Sequence, residues 1–308
     1  MGQALGAKRS LTIPRVRFRL TSQFKNIDEN REDNVSTAAL TGAREAASTE
    51  VLGIDDLLDR SDADRGDADR GDAGRGDERS PAGRAVAGGR TASGPAIDVR
   101  DAAVTGPRGP VFGPLTAMSD RPVTVVRGSR GTGRTSLLLA ITGRMRLSEG
   151  SLVALGAAKP AEIRRRTGIA GFAEIDALEP AVTLGATLRE RLAWAMPWYR
   201  RTPRITPELA SELLGEAFGE YEQPDPDTLV RELDPAEEML VRISLALIER
   251  PELLAIDDFD ALRDPAERAI VAERLNALAD RGTRIVVATS DPGDLHRFAG
   301  HRPALIAL

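Results

Sequence analysis

Between Val123 and Leu138 the chain runs Val-Thr-Val-Val-Arg-Gly128-Ser129-Arg130-Gly131-Thr132-Gly133-Arg134-Thr135-Ser136-Leu-Leu, and this stretch restricts the fold more than any other. A β-branched apolar run, a turn with three glycines and an apolar segment of helical character follow one another directly. The spacing is that of a phosphate-binding P-loop, G-x-x-x-x-G-K-[ST], with Arg134 in the lysine position. Glycines at 128, 131 and 133 let successive backbone N–H groups turn inward, and the following helix aims its positive end at the same point. Residues Gly128, Ser129, Arg130, Gly131, Thr132, Gly133, Arg134, Thr135 and Ser136 are therefore expected to cradle a di- or triphosphate, with the Thr135 hydroxyl offered to Mg²⁺. Such a loop works only between a buried strand and a helix, so an α/β fold is implied.

The rest of the C-terminal part agrees. Pro122 to Val126, Leu253 to Ile256 and Ile285 to Thr289 read as buried strands, and Ser136 to Thr142 as a helix. Pro265 to Ala279 has helical spacing through Ala269, Ile270, Leu275 and Leu278. Strands alternating with helices predict a three-layer α/β core with a largely parallel sheet over residues 95–308.

Residues 1–94 have a different texture. From Arg60 to Asp77 a five-residue unit recurs as RSDAD, RGDAD, RGDAG, RGDE, with almost nothing to bury, so a disordered low-complexity tail is expected. Arg-Gly-Asp begins at Arg65, Arg70 and Arg75, which reads as a drifted repeat rather than an adhesion signal. Further upstream, Arg15-Val16-Arg17-Phe18-Arg19-Leu20 alternates basic and apolar side chains. A solvated basic tail is the first reading, with an anionic membrane surface or a partner's sheet edge as the alternatives.

Composition then limits the chemistry. There is no cysteine, which excludes disulfides, thiolate catalysis and Cys-based metal centres, and two histidines, His296 and His301, are too few for a histidine cage. Oxygen ligands, backbone amides and arginine remain. The net charge of −5 argues against a bulk nucleic-acid binder. No apolar run reaches membrane-span length, and the first residues lack the apolar core of a secretory signal, so a cytosolic protein is expected. Only Lys8, Lys25 and Lys159 among the 42 basic residues are lysine, as in a GC-rich bacterial genome.

Downstream, Pro251-Glu-Leu-Leu-Ala-Ile256-Asp257-Asp258 has the form of a Walker B strand. Asp257 would hold Mg²⁺ through water, and Asp258 stands where a carboxylate polarises the attacking water. From about Ile97 onward the ordered set of motifs resembles the nucleotide-binding domain of ATP-binding cassette (ABC) transporters. Gly143 to Gly156 is similar to the family's turn and strand after the P-loop helix. Gly168 to Leu184 follows the Q-loop pattern, with Glu174 in the glutamine position. Leu233-Asp-Pro-Ala-Glu237 stands at the signature position ahead of Walker B, Asp264 at the D-loop aspartate, and Ser290-Asp291 where the family has its switch histidine and an aspartate. The resemblance implies a P-loop NTPase core with a helical subdomain, ATP and Mg²⁺ as cofactors, Asp258, Glu174 and Ser290 in the catalytic positions, and Thr135 and Asp257 on the metal. It also implies a membrane permease subunit as partner, a homodimer or a heterodimer with another cassette, and a cytoplasmic position on the inner face of the membrane.

Five positions differ from that family in kind: Arg134, Glu174, Asp234 to Glu237, Asp258 and Ser290. Arginine is bulkier and forked where the cradle is tight. Asp234 brings a negative charge and Pro235 removes an N–H where a signature loop would meet the γ-phosphate of the opposite subunit. Asp258 is one methylene short of glutamate, and Ser290 cannot act as the histidine does. Together these changes predict nucleotide binding with slow or absent hydrolysis; the alternative is a non-catalytic regulatory or scaffolding pseudo-ATPase. A soluble DNA-repair ATPase lacks the long coiled coil it would need, and a P-loop kinase is disfavoured by the position of Asp257 and Asp258. Between Val104 and Leu115 only Phe112 could stack on a base. Trp194 and Trp198 lie within five residues of one another in an arginine-flanked stretch, which suits a permease-docking surface, with packing of Trp194 in the subdomain core as the competing reading. Pro197 favours Trp198 for exposure.

Overall fold

A computed structural model describes residues 95–196 and 198–308. The expectations for residues 1–94, and the effect of Pro197 itself, lie outside the described residues. The apolar runs of the sequence become a five-stranded sheet: Val123–Arg127 (β3), Thr167–Ala170 (β5), Leu253–Ile256 (β6), Arg284–Thr289 (β7) and Ala304–Ala307 (β8). Their order is β5-β6-β7-β3-β8, and every neighbouring pair is parallel. Strands covered on both faces read as continuous apolar runs rather than alternating ones. The pleat still sorts them: Val126, Val286, Ala288, Leu253 and Ala255 join one core cluster, while Val125, Ile285, Val287, Leu254 and Ile256 join another.

The first cluster lies under a second sheet. Ile97–Gly106 (β1) and Gly109–Ser119 (β2) form an antiparallel pair, and Glu149–Ala154 (β4) adds to the other side of β1. With these strands packs the helix Arg134–Ile141 (α1), through Leu137, Leu138 and Ile141. The expectation of a largely parallel sheet thus describes the central layer only, since β1 and β2 belong to a separate antiparallel sheet. A short helix, Pro160–Arg164 (α2), precedes β5.

The opposite face is helical. Leu184–Ala195 (α3), Pro207–Phe218 (α4), Pro235–Leu247 (α5) and Pro265–Asp280 (α6) supply Leu188, Leu214, Leu240, Ile243, Val271, Leu275 and Leu278 to the second cluster. Each helix starts on a polar cap: Thr183, Thr206, Asp234 and Asp264 accept backbone N–H groups of the first turn. Proline opens α4, α5 and α6, where its missing N–H has no intrahelical partner to lose. Because the central strands all run the same way, their carboxyl ends meet on one edge, the usual position of a ligand crevice in such sheets.

Candidate functional site

Four segments converge on that edge: the loop after β3, the loop after β5, the turn after β6 and the residues after β7. In the first, the Gly128 N–H donates to the Thr289 carbonyl at 3.3 Å, tying the loop to β7. The Thr132 N–H and hydroxyl both donate to the Ser129 carbonyl, at 3.3 and 2.9 Å, and close the turn. Gly131 and Gly133 take φ of 86° and 89°, the left-handed region that favours glycine. At Gly133 the requirement is also steric, since a Cβ there would stand 2.5 Å from the Val111 carbonyl oxygen and 2.8 Å from Phe112 Cβ. The β1–β2 hairpin therefore lies against the loop. No side chain caps α1, which begins at Arg134, so its first N–H groups are left to the loop's interior.

Asp257, the residue after β6, is 3% exposed, and its backbone N–H donates to the Ala170 carbonyl at 3.0 Å. Its Oδ1 has no hydrogen-bond partner. Burial pushes this carboxyl above the usual carboxylate range, only partly offset by the nearby Thr135 hydroxyl. A buried orphan carboxylate oxygen beside a hydroxyl is the donor set a hard cation such as Mg²⁺ takes, completed by water and phosphate oxygens. The residues fit the ion.

Arg134 does not point freely into the loop. Its guanidinium is buried, and Nη1 lies 3.3 Å from Oδ1 of Asp260, half-buried in the turn Phe259–Ala261 that follows Asp258. The Ser290 hydroxyl donates a hydrogen bond to Oδ2 of the same carboxylate. Burial opposes ionisation of Asp260, but the Ser290 hydroxyl and the Arg134 charge outweigh it and hold the carboxyl below its ordinary range. Ser290 is thus joined to Asp260, not held apart as an isolated switch residue. Asp258 starts the turn in the left-handed region, φ 48° and ψ 36°, and is half-buried.

The loop after β5 places Glu174 at the surface. Two residues on, Asp176 Oδ2 accepts the Gly171 N–H at 2.8 Å, and its Oδ1 lies 3.7 Å from Arg242 on α5. Gly171 sits with φ 83° at a point where a Cβ would be 2.3 Å from the Asp257 carbonyl oxygen, so this loop and the end of β6 touch through backbone.

The signature position has become a helix cap. Asp234 Oδ1 accepts the Glu237 N–H at 2.7 Å, and Glu237 Oε2 accepts the Asp234 N–H at 2.9 Å. This is a reciprocal capping box, visible in the sequence as Asp-Pro-Ala-Glu. Asp264 is likewise engaged, accepting the Ala266 N–H at 2.8 Å. Next to Ser290, Asp291 pairs with Arg268 at 2.8 Å.

Trp194, at the end of α3, is 60% exposed, Trp198 94% and Tyr199 72%. Trp198 and Tyr199 meet edge to face with ring centres 6.0 Å apart. Packing of Trp194 in the subdomain core is overturned: its ring faces outward. Phe112 is buried among β1, β2 and α1, so the one aromatic between Val104 and Leu115 is not free to stack on a base. Sequence reasoning missed Asp260 and Asp176. Nothing in the sequence marks Asp260, which is one more acid after a strand that ends in acids, and its partner is 126 residues away.

Several known proteins are similar to this chain. The Nod factor export ATP-binding protein I of Rhizobium etli is 29% identical over 163 residues, 53% of this chain and 49% of that protein. Its namesake from a Bradyrhizobium strain is 27% identical over 200 residues, 65% of this chain and 59% of that protein. The chain spans about half the length of the curated relatives it matches. Among solved structures, an ATP-binding cassette of an ABC transporter in its ADP conformation aligns with a TM-score of 0.56 at 15% identity, covering 69% of this chain and 87% of the other. The cbiO1 protein of Clostridium perfringens, part of the ABC transporter complex cbiONQ, aligns with a TM-score of 0.52 at 18% identity, covering 65% of this chain and 80% of the other. At such identities these structures speak for the fold. No protein-family model matches the chain.

Proposed function

We propose that this chain, an ABC transporter nucleotide-binding domain by its fold and relatives, is the ATP-binding subunit of a bacterial ABC transport system that binds Mg-ATP and hydrolyses it slowly or not at all. The observation that carries the binding half is the buried, unpartnered Asp257 Oδ1 beside Thr135 at the mouth of the glycine loop. Loop residues Gly128 to Ser136 wrap the phosphates with backbone N–H groups, and Thr135 and Asp257 hold the ion. Bound there, Mg²⁺ would neutralise phosphate charge during transfer.

The slow half rests on this chain's own residues. Asp258 is a short carboxylate for polarising water, Glu174 lies at the surface, and the Ser290 hydroxyl is engaged by Asp260. Asp234 and Pro235 present a carboxylate and a missing N–H where an opposite subunit's γ-phosphate would need donors. A homodimer then has the same defect twice, whereas a heterodimer with an intact cassette completes one site. Among the described residues no helix is long and apolar enough to cross a membrane, so the membrane path is assigned to a separate permease, met through Trp194, Trp198 and Tyr199. The assembly sits on the cytoplasmic face, with residues 95–308 as the nucleotide-binding domain.

Two measurements test this. Mg-ATP at about 100 times its Kd adds roughly 2.7 kcal/mol of stability, so a thermal shift that Gly133→Asp abolishes is expected. Steady-state turnover by the homodimer, alone and with the permease, is expected far below the usual enzyme range; a rate on the order of 1 s⁻¹ or faster refutes impaired hydrolysis. Absence of turnover even in a heterodimer with an intact cassette would favour the regulatory pseudo-ATPase.

A further inference from the structure

The cation at the lysine position of the loop is already matched by an anion of the same chain. The Arg134 and Asp260 side chains are 6% and 7% exposed, so water screens them only partly, and their 3.3 Å separation makes them a local neutral pair. Ser290 holds the second oxygen of Asp260, which fixes the carboxylate in its place. Asp257 and Asp258 lie just ahead in the chain and add negative charge to the same strand end. A phosphate arriving in the loop therefore meets carboxylates and a cation whose field is cancelled.

We infer that Asp260 is an intramolecular stand-in for phosphate, a positioning residue that latches Arg134 and makes the binding of a polyphosphate contingent on breaking the Arg134–Asp260 pair. The inference rests on the reading of residues 128–136 as a phosphate site. A guanidinium has five N–H donors in a planar fork, so once released from Asp260 it serves a phosphate oxygen as readily as a carboxylate. The latch weakens affinity because the carboxylate left behind is desolvated, fixed by Ser290 and close to the incoming charge. Ser290 thereby sets the stiffness of the latch: without its hydroxyl, Asp260 yields more readily.

The test is calorimetric titration of the full chain with Mg-tripolyphosphate, Mg-ATP and adenosine. Asp260→Asn keeps the shape and an acceptor for Ser290 but removes the charge. It is expected to bind tripolyphosphate and ATP about tenfold more tightly than the wild type, equivalent to about 1.4 kcal/mol, with no gain for adenosine. Ser290→Ala is expected to shift affinity in the same direction by a smaller factor, which keeps the inference testable should Asp260→Asn fold poorly. In an Arg134→Ala background, where there is no pair left to break, the Ser290→Ala gain is expected to vanish, which a merely structural role of Ser290 would not produce. If the wild type binds and Asp260→Asn binds equally or more weakly, the latch is refuted while the phosphate-site reading stands. If none of these proteins binds tripolyphosphate or ATP at millimolar concentration, both are refuted.

Discussion

Replacing Asp234 by alanine removes the side-chain half of the cap on α5 and separates what this residue does for the fold from what it does at the signature position. Its Oδ1 accepts the Glu237 N–H at 2.7 Å, and the return bond runs from its own N–H to Glu237 Oε2 at 2.9 Å. Alanine deletes the first bond, while its own backbone N–H can keep the second. Loss of an aspartate cap costs about 1 kcal/mol, and loss of a negative charge at a helix N-terminus adds about 0.3–1 kcal/mol at an exposed position. Because Asp234 is exposed, no burial penalty enlarges the effect. Fraying would spread to Ala236 and Met239, which are buried in the first two turns, so the expected total is about 1–2 kcal/mol. For a domain of this size about 1 kcal/mol shifts Tm by roughly 2–4 °C. Urea midpoints and thermal melts of the full chain measure it. Asp234→Ser retains a capping oxygen and is expected to stay within about 0.5 kcal/mol of the wild type on the capping term. Equal stability of the wild type and the alanine variant would refute the assignment of this loop as a capping box.

Gly133→Ala places a methyl group 2.5 Å from the Val111 carbonyl at a φ of 89°. Left-handed alanine alone costs about 1–2 kcal/mol, so a loss of at least that size in urea unfolding is expected, together with a weakened thermal response to Mg-ATP. Asp257→Asn tests the orphan carboxylate. Burial raises the folded pKa of this acid above its unfolded value, so the ionised form opposes folding at neutral pH, and the opposition is relieved as pH falls through the raised folded value. The asparagine variant without ligand is therefore expected to melt above the wild type at pH 7, by a margin that shrinks as the pH is lowered into the carboxylate range, and to lose the Mg²⁺-dependent part of the ATP shift. A margin that grows on acidification would contradict the buried, unpaired carboxylate.

The parallel core is legible because its signals are local. Leu253–Ile256 is buried throughout, so apolar residues at every position are what the fold demands, and polar residues on both sides mark the ends of the strand. Pro265 after Asp264 marks the start of α6 by missing donor and capping acceptor together. The antiparallel sheet is not legible in the same way. In β1 and β2 buried and exposed positions alternate irregularly around register shifts between Val99 and Thr105, so no clean two-residue period reaches the sequence. Trp194 misleads in the other direction. A large aromatic on a helix is ordinarily core, but Leu184, Leu188 and Leu192 already fill the buried face of α3 and leave Trp194 outside.

The site divides along the same line. Gly133 and Thr135 belong to one contiguous motif, and their geometry follows from a strand, a turn and a helix in sequence. What controls Arg134 cannot be read that way, because its partner comes from the end of β6 and the hydroxyl that steadies the partner from the end of β7. β7 lies between β6 and β3 in the sheet, so the three groups become neighbours only when the strand order is set. A substitution judged at Arg134 alone looks conservative in charge; in place, with Asp260 against it, the loop's cation is cancelled. The same holds for Asp234, whose charge stands out in isolation but is the acceptor of a helix cap completed by Glu237. Departures from a family pattern therefore carry information in groups: a residue that abandons one role is best interpreted with the residue that gives it another.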